Sequence, residues 1–225
     1  IQPKLVEFYN DVNLNPVLWK RVKAVYDGRA NLKLTTEQAK LLEETYKSFV
    51  RSGADLSDAD KETYRKLSTE LANLNLTFGQ NVLAADNAFT INITDPAEVA
   101  ELPEFVRDAM ASDAKSRGEK GWTVTLHVAS MVPFLTYSSN RDYKERLYKA
   151  YNSRCLGGAN DNTAILLRIA ELRREIAGLF GYQTYADYVL EERMAENRTT
   201  VNDFLKELLD ATVEYARKDY STVSS

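Results

Sequence analysis

The 225-residue chain has one histidine, His127, and one cysteine, Cys155. A zinc site usually draws several His or Cys ligands from helical or loop spacing. No His-Glu-x-x-His occurs anywhere in the sequence. The single cysteine excludes an internal disulfide framework and suits a reducing compartment. Nine glycines and five prolines are too few for a low-complexity scaffold, and 44% hydrophobic residues are too many for a disordered one. No apolar run reaches the length of a membrane span, and no signal peptide opens the chain. The net charge is −4, with Lys and Arg interspersed among acids, so the basic footprint of a nucleic-acid binder is missing. The chain has no initiator methionine. It starts at Ile1 inside what reads as a helix and stops at Ser225 just after another, so both ends are expected to be cut.

A helical period dominates what remains. The length suffices to bury a sizeable core, as one large domain or two small ones. Leu42, Tyr46, Phe49 and Val50 share one helix face, Thr35 to Gln38 gives a capping-box start, and Gly53 gives a stop. After the connector Ala54 to Ser57, the residues Tyr64, Leu67, Leu71, Leu74, Phe78 and Val82 recur at helical spacing. They predict a long helix from about Ser57 to Asp86, on the order of 40 Å, paired with its predecessor as an antiparallel hairpin. Val17, Trp19, Val22, Val25 and Tyr26 before Gly28 predict a further helix whose beginning is lost.

The middle changes period. Phe89, Ile91 and Ile93 alternate with Thr90, Asn92 and Thr94, and Trp122, Val124, Leu126 and Val128 alternate with Thr123, Thr125 and His127. These predict half-buried strands near 89–94 and 122–128, the second region ended by Pro133. Between them, Pro103 to Lys115 reads as a helix stopped by Gly118. Helices resume near Asn140, with Tyr143, Leu147, Tyr148 and Tyr151 inward. The loop Gly157 to Thr163 caps a helix whose stripe is Ile165, Ile169, Leu172, Ile176 and Leu179. Gly181 stops it, Thr184 restarts the chain, and Thr200 caps a last helix carrying Phe204, Leu208 and Tyr215. The expected fold is mainly α, long antiparallel helices in an array with a small inserted β-element. Its expected sub-parts are a helical hairpin region 1–86, an α/β insertion 87–138 and a helical region 139–225.

No catalytic, cofactor-binding or metal residue is assigned. His127 lies on the polar face of its strand and reads as a surface histidine. Cys155 follows Arg154 at a helix end, the wrong end for thiolate stabilisation, and reads as filler. Acid pairs such as Glu191-Glu192 and Asp58 with Asp60 read as solvated helix faces. Gly157-Gly158 lacks the Lys-Ser/Thr of a phosphate loop and reads as a turn. The triplets at Asn75, Asn92 and Asn197 match a glycosylation acceptor, but such matches are common by chance.

One stretch is more specific: Ala170-Glu-Leu-Arg-Arg-Glu-Ile-Ala-Gly-Leu-Phe-Gly181, continuing Tyr-Gln-Thr-Tyr-Ala-Asp-Tyr-Val-Leu-Glu-Glu-Arg-Met-Ala195. It resembles a segment of the thimet-oligopeptidase-like zinc metallopeptidases, the family of oligopeptidase A and the peptidyl-dipeptidases. The segments Leu41 to Ala54 with Phe49-x-Arg51-x-Gly53, Leu67 to Leu83 and Gly121 to Leu126 also resemble family motifs, as do Pro133, Asn140-Arg141, Tyr148-x-Ala-Tyr151 and Asn160 to Thr163. All fall in the family's order, so the resemblance covers most of the chain from about residue 33.

The resemblance implies a segment of the N-terminal half, forming the wall of a channel for short peptides. The implied parent chemistry is zinc-activated water attacking a peptide carbonyl. In that family the zinc site and the transition-state residues lie further toward the C-terminus, in a catalytic half outside this sequence. The zinc is therefore expected outside these residues, and the segment alone is expected to be inactive. The motifs lean toward a peptidyl-dipeptidase removing C-terminal dipeptides, with an oligopeptidase A-like endopeptidase as the alternative. Short peptides and the C-terminal catalytic half are the expected partners, without nucleic acid or membrane, in the cytoplasm. A helical interaction module with no catalytic parent is the competing reading.

Overall fold

The structure, a computed structural model, describes residues 2–224. Helices α1 (Gln2–Asn13), α2 (Pro16–Asp27), α3 (Thr36–Arg51) and α4 (Asp58–Ala88) lead to strand β1 (Thr90–Ile93). Helix α5 (Glu104–Ser116), strand β2 (Trp122–Thr125) and helices α6 (Val128–Tyr137) and α7 (Arg141–Asn152) follow. Helices α8 (Thr163–Leu179), α9 (Tyr185–Leu190) and α10 (Arg198–Ser224) complete the order. The chain is mainly α with one small antiparallel sheet, as the periodicity predicts.

Two compact units form, Ile1–Asn73 with Ile169–Ser225, and Leu74–Arg168. Their boundaries fall inside α4 and α8, whereas the expected sub-parts 1–86, 87–138 and 139–225 end near element termini. In the first unit, Trp19, Phe49 and Ala54 are buried with Val22, Tyr46 and Val50 against them. The Trp19 and Phe49 rings stack at 6.2 Å, and Tyr26 lies on Tyr46 at 3.7 Å. Start signals decide the helix limits. The Asn15 side chain accepts from the Val17 and Leu18 amides, so α2 begins cleanly at Pro16, and α1 precedes it. Thr35 and Gln38 close the expected capping box on α3.

The second unit is built on the sheet. Ile91 pairs with Val124 and Ile93 with Trp122, and α5, with β1, is the closest neighbour of β2. Ile91, Ile93, Val106, Met110, Val124, Leu126, Phe134 and Leu147 form its core. Strand β2 is shorter than the expected 122–128. Ser130 Oγ accepts from the Thr125 amide at 3.1 Å, which ends the ladder, and His127 becomes the residue before α6. Both faces of β2 are covered: Thr123 and Thr125, expected on a polar face, are buried. Pro133 does not end a strand region but stands inside α6. A proline there removes one backbone bond and costs about 3 kcal/mol in an exposed helix; burial of Met131 and Phe134 on either side offsets it.

Two further expectations are corrected. Tyr148 points outward, 63% exposed, while Leu147 takes the core position one residue earlier. The last helix starts at Arg198, with Asn197 Oδ1 accepting from the Thr200 amide, so Asn197 is the cap and Thr200 lies in the first turn.

Candidate functional site

The first unit brings two of the sequence motifs together around one guanidinium. Arg51 is the last residue of α3, where a cation also faces the negative end of the helix. Gly181, at φ +81°, ends α8, and Thr184 caps α9, accepting from the Asp187 amide. This restart delivers Tyr188 and, just past α9, Glu191 and Glu192 to Arg51.

Arg51 Nη1 lies 2.7 Å from Glu191 Oε2 and Nε lies 3.1 Å from Glu192 Oε2. Nη2 donates to the Tyr188 carbonyl at 2.5 Å. The guanidinium stacks 4.1 Å above the Tyr188 ring, and the Tyr188 hydroxyl donates back to the Arg51 carbonyl at 2.9 Å. Tyr182 donates to Glu191 as well. The Arg51 side chain is 15% exposed, whereas Glu191 and Glu192 are about half exposed. Such a fork, planar and stacked, is what Arg supplies and Lys does not.

Aromatics extend the clasp. Phe180 stacks on Tyr188 at 5.4 Å, and Tyr64 meets Phe180 edge-on at 5.6 Å. A pocket of about 490 Å³ opens beside them, lined in part by Glu44, Ser48, Arg51, Tyr64, Tyr188 and Glu192. Burial pushes the Tyr64 phenol up to about 12, with Tyr188 and Tyr185 adding to the shift. Burial also raises Tyr188 and Tyr182, the latter helped by its bond to Glu191. All three phenols are therefore protonated at neutral pH, and those of Tyr182 and Tyr188 serve as donors, to Glu191 and to the Arg51 carbonyl. The cluster holds two ion pairs and packed rings, and it presents no activated nucleophile.

The Tyr64 shift has a testable pH consequence. Below its ordinary value of 10.0 both folded and unfolded phenols keep the proton, so stability is flat. Between 10.0 and about 12 the unfolded chain loses the proton first, and stability falls as pH rises. The expected loss across that window is roughly 2–3 kcal/mol. Urea midpoints measured from pH 9 upward check it: Tyr64→Phe should remove most of that slope, and an unchanged slope refutes the assignment.

A second pocket, about 460 Å³, lies in the other unit among Phe78, Val82, Tyr151, Cys155, Asn162 and Leu166. Cys155 is buried at φ +57°, and its carbonyl accepts from the Asn162 amide at 3.0 Å. Arg154 beside it is bound to Asp86 at 2.7 Å and stacked on Tyr151. The Asn162 amide group donates to the Phe78 carbonyl, and Asn81 donates to Asn162. His127 is exposed, with Nε2 3.1 Å from Asn87 Oδ1, and the sequence holds no second imidazole to join it.

Glu191 and Glu192 are thus not merely a solvated helix face, as the acid pair reads alone. Asp58, exposed beside Lys61, fits that reading better. Both halves of the clasp lie in segments that the sequence singles out, Arg51 in Phe49-x-Arg51-x-Gly53 and its partners in Ala170 to Ala195, but no sequence signal pairs them. Among the described residues no group of three or more His, Cys, Asp or Glu is placed to hold a metal ion. Among them, too, no helix is long and apolar enough to cross a membrane.

Comparison with known proteins adds the missing context. The sequence profile of Peptidase family M3 matches residues 134–225. Oligopeptidase A of Salmonella typhimurium is 33% identical over 211 residues, covering 92% of this chain and 31% of that protein. Dipeptidyl carboxypeptidase of Escherichia coli is 31% identical over 224 residues, 99% of this chain and 33% of the relative. A probable cytosolic oligopeptidase A of Arabidopsis thaliana is 32% identical over 232 residues, 100% of this chain and 33% of its own length. The chain spans about a third of the length of the curated relatives it matches.

Proposed function

For a chain that is a relative of the Peptidase family M3 enzymes, we propose a place in the scaffold of a longer metallopeptidase acting on short peptides. The observation that carries this reading is the match to oligopeptidases and dipeptidyl carboxypeptidases along nine-tenths or more of the chain. Within the parent, this segment forms one wall of the substrate channel, and the bond-breaking groups lie outside it. Zinc, expected for the parent, does not fit the residues described here. The only histidine is engaged with Asn87, the only cysteine is buried, and no acid cluster of ligand type accompanies either. No chemical step is therefore assigned to a residue of this chain. What its residues supply is shape: the Arg51 clasp joins the end of α3 to the turn after α9, and the half-buried Tyr64 and Tyr188 pack beside that joint. Such remote scaffolding acts on turnover through substrate positioning.

Of the two activities named among the relatives, we favour the dipeptidyl carboxypeptidase type, as the motifs lean, in a cytoplasmic setting. The test uses the full-length parent with two versions of one peptide, one with a free C-terminal carboxylate and one amidated. Dipeptide release confined to the free form is the expected result. Internal cleavage of the amidated peptide would establish the oligopeptidase A-type alternative. The isolated 225-residue chain is expected to hydrolyse neither peptide with or without added zinc, and measured zinc-dependent turnover by it would overturn the scaffold reading.

A further inference from the structure

Helix α10 is the least explained element. It runs 27 residues, Arg198–Ser224, and none of them is buried. Helices in water depend for most of their stability on an apolar face packed against something. Here the described packing is concentrated at the start, where Arg198 Nε meets Asp187 Oδ1 at 2.5 Å and α9 lies alongside.

The exposed face is ordered. At 3.6 residues per turn, Val201, Phe204, Leu205, Leu208, Thr212 and Tyr215 form one stripe. Phe204 is 59% exposed, Leu208 45% and Tyr215 72%. The opposite face is charged and self-neutralised, with Lys206 bound to Asp210 and Arg217 to Glu214, each at 2.7 Å. One face thus suits water and the other does not. Contiguous apolar surface of this kind marks an interface.

We propose that the stripe from Val201 to Tyr215 docks against the part of the parent polypeptide that lies outside these 225 residues. This rests on the reading of the chain as part of a longer peptidase. Two observations select that occupant over a second copy of the chain. The relatives carry about twice as much further sequence as they share with it, and the family profile runs through the whole of α10. A covering surface within the same polypeptide is always present at high effective concentration, which a permanently apolar face requires.

The experiment measures thiol reactivity in a Cys155→Ser background. Leu208→Cys reports the stripe and Arg217→Cys the charged face, each in the 225-residue chain and in the full-length parent. The expected result is that the thiol introduced at position 208 reacts on the order of 100-fold more slowly in the parent, while the one at position 217 reacts equally fast in both. Equal rates for the Leu208→Cys thiol in both proteins would overturn the proposal. So would protection already present in the isolated chain that grows with concentration, which assigns the face to a second copy, and so would a reading frame that ends near Ser225. Peptide hydrolysis by the parent is measured separately. A protected thiol at position 208 in a parent without peptidase activity keeps the interface and rejects the functional reading.

Discussion

Gly121→Ala should destabilise the Leu74–Arg168 unit by roughly 4 kcal/mol, one of the largest losses expected from so small a change. Gly121 leads directly into β2 at φ +84°, a conformation that costs an alanine about 1 kcal/mol or more. The added methyl would also stand 2.2 Å from the Ile93 carbonyl oxygen and 3.0 Å from the Thr94 Cα. Both are backbone atoms, so no rotamer can relieve the contact. The strands must part at the Ile93–Trp122 end of the ladder, where Ile93 is almost fully buried. Overpacking of a close-packed region adds about 1–3 kcal/mol. The check is a urea titration followed by Trp122 fluorescence, with a Trp19→Phe background to silence the only other tryptophan. A Gly118→Ala control, also at positive φ but with open space around its Cβ, should lose only the conformational part. Equal losses at the two glycines would show that the contact with Ile93 contributes nothing.

How far the sequence reaches is visible in where these residues sit. Local signals translate directly: the Thr35–Gln38 capping box, the Thr184 restart and the Leu67 and Ile169–Leu172–Ile176 stripes all appear as expected. Each depends on neighbours within a turn or two, so short-range spacing determines it. The misreadings share a different origin. The alternation through Val128 continues the pattern of β2, but the Ser130 hydroxyl competes for the Thr125 amide and a helix begins instead. Thr200 and Asn197 are both good caps, and which one wins depends on a single hydrogen bond. Leu147 and Tyr148 are both expected inward, but adjacent helical residues lie about 100° apart, and only Leu147 is buried while Tyr148 is exposed. Long-range pairing is the least legible. Arg51 and Glu191 are 140 residues apart, and nothing in the spacing of either motif points to the other.

Replacing Arg51 by Met should cost about 3 kcal/mol, and most of that loss should be insensitive to salt. What decides this is which of the guanidinium's contacts is shielded from water. Glu191 and Glu192 are 56% and 46% exposed, so each ion pair is worth no more than about 1 kcal/mol. The Tyr188 carbonyl and ring are a different matter. Their contact lies within a side chain only 15% exposed, and methionine would leave the carbonyl without its charged donor. A buried acceptor deprived of such a partner costs about 1–3 kcal/mol, and the lost cation–π stack adds roughly 1. Arg51→Lys keeps the charge but cannot reach two carboxylates and a carbonyl while lying flat on the ring, so it should recover little of the loss. Glu191→Gln and Glu192→Gln should each lose less than Arg51→Met, and only their small effects should shrink as salt rises from ~0.1 to ~1 M. Urea midpoints for the four variants at both salt concentrations decide the matter. Full stability in Arg51→Lys would mean that net charge, not the fork on Tyr188, holds the end of α3 to the turn after α9. In the longer peptidase proposed above, Arg51→Met should lower turnover only as far as it loosens that joint, because the Arg51 hydrogen bonds go to its own chain.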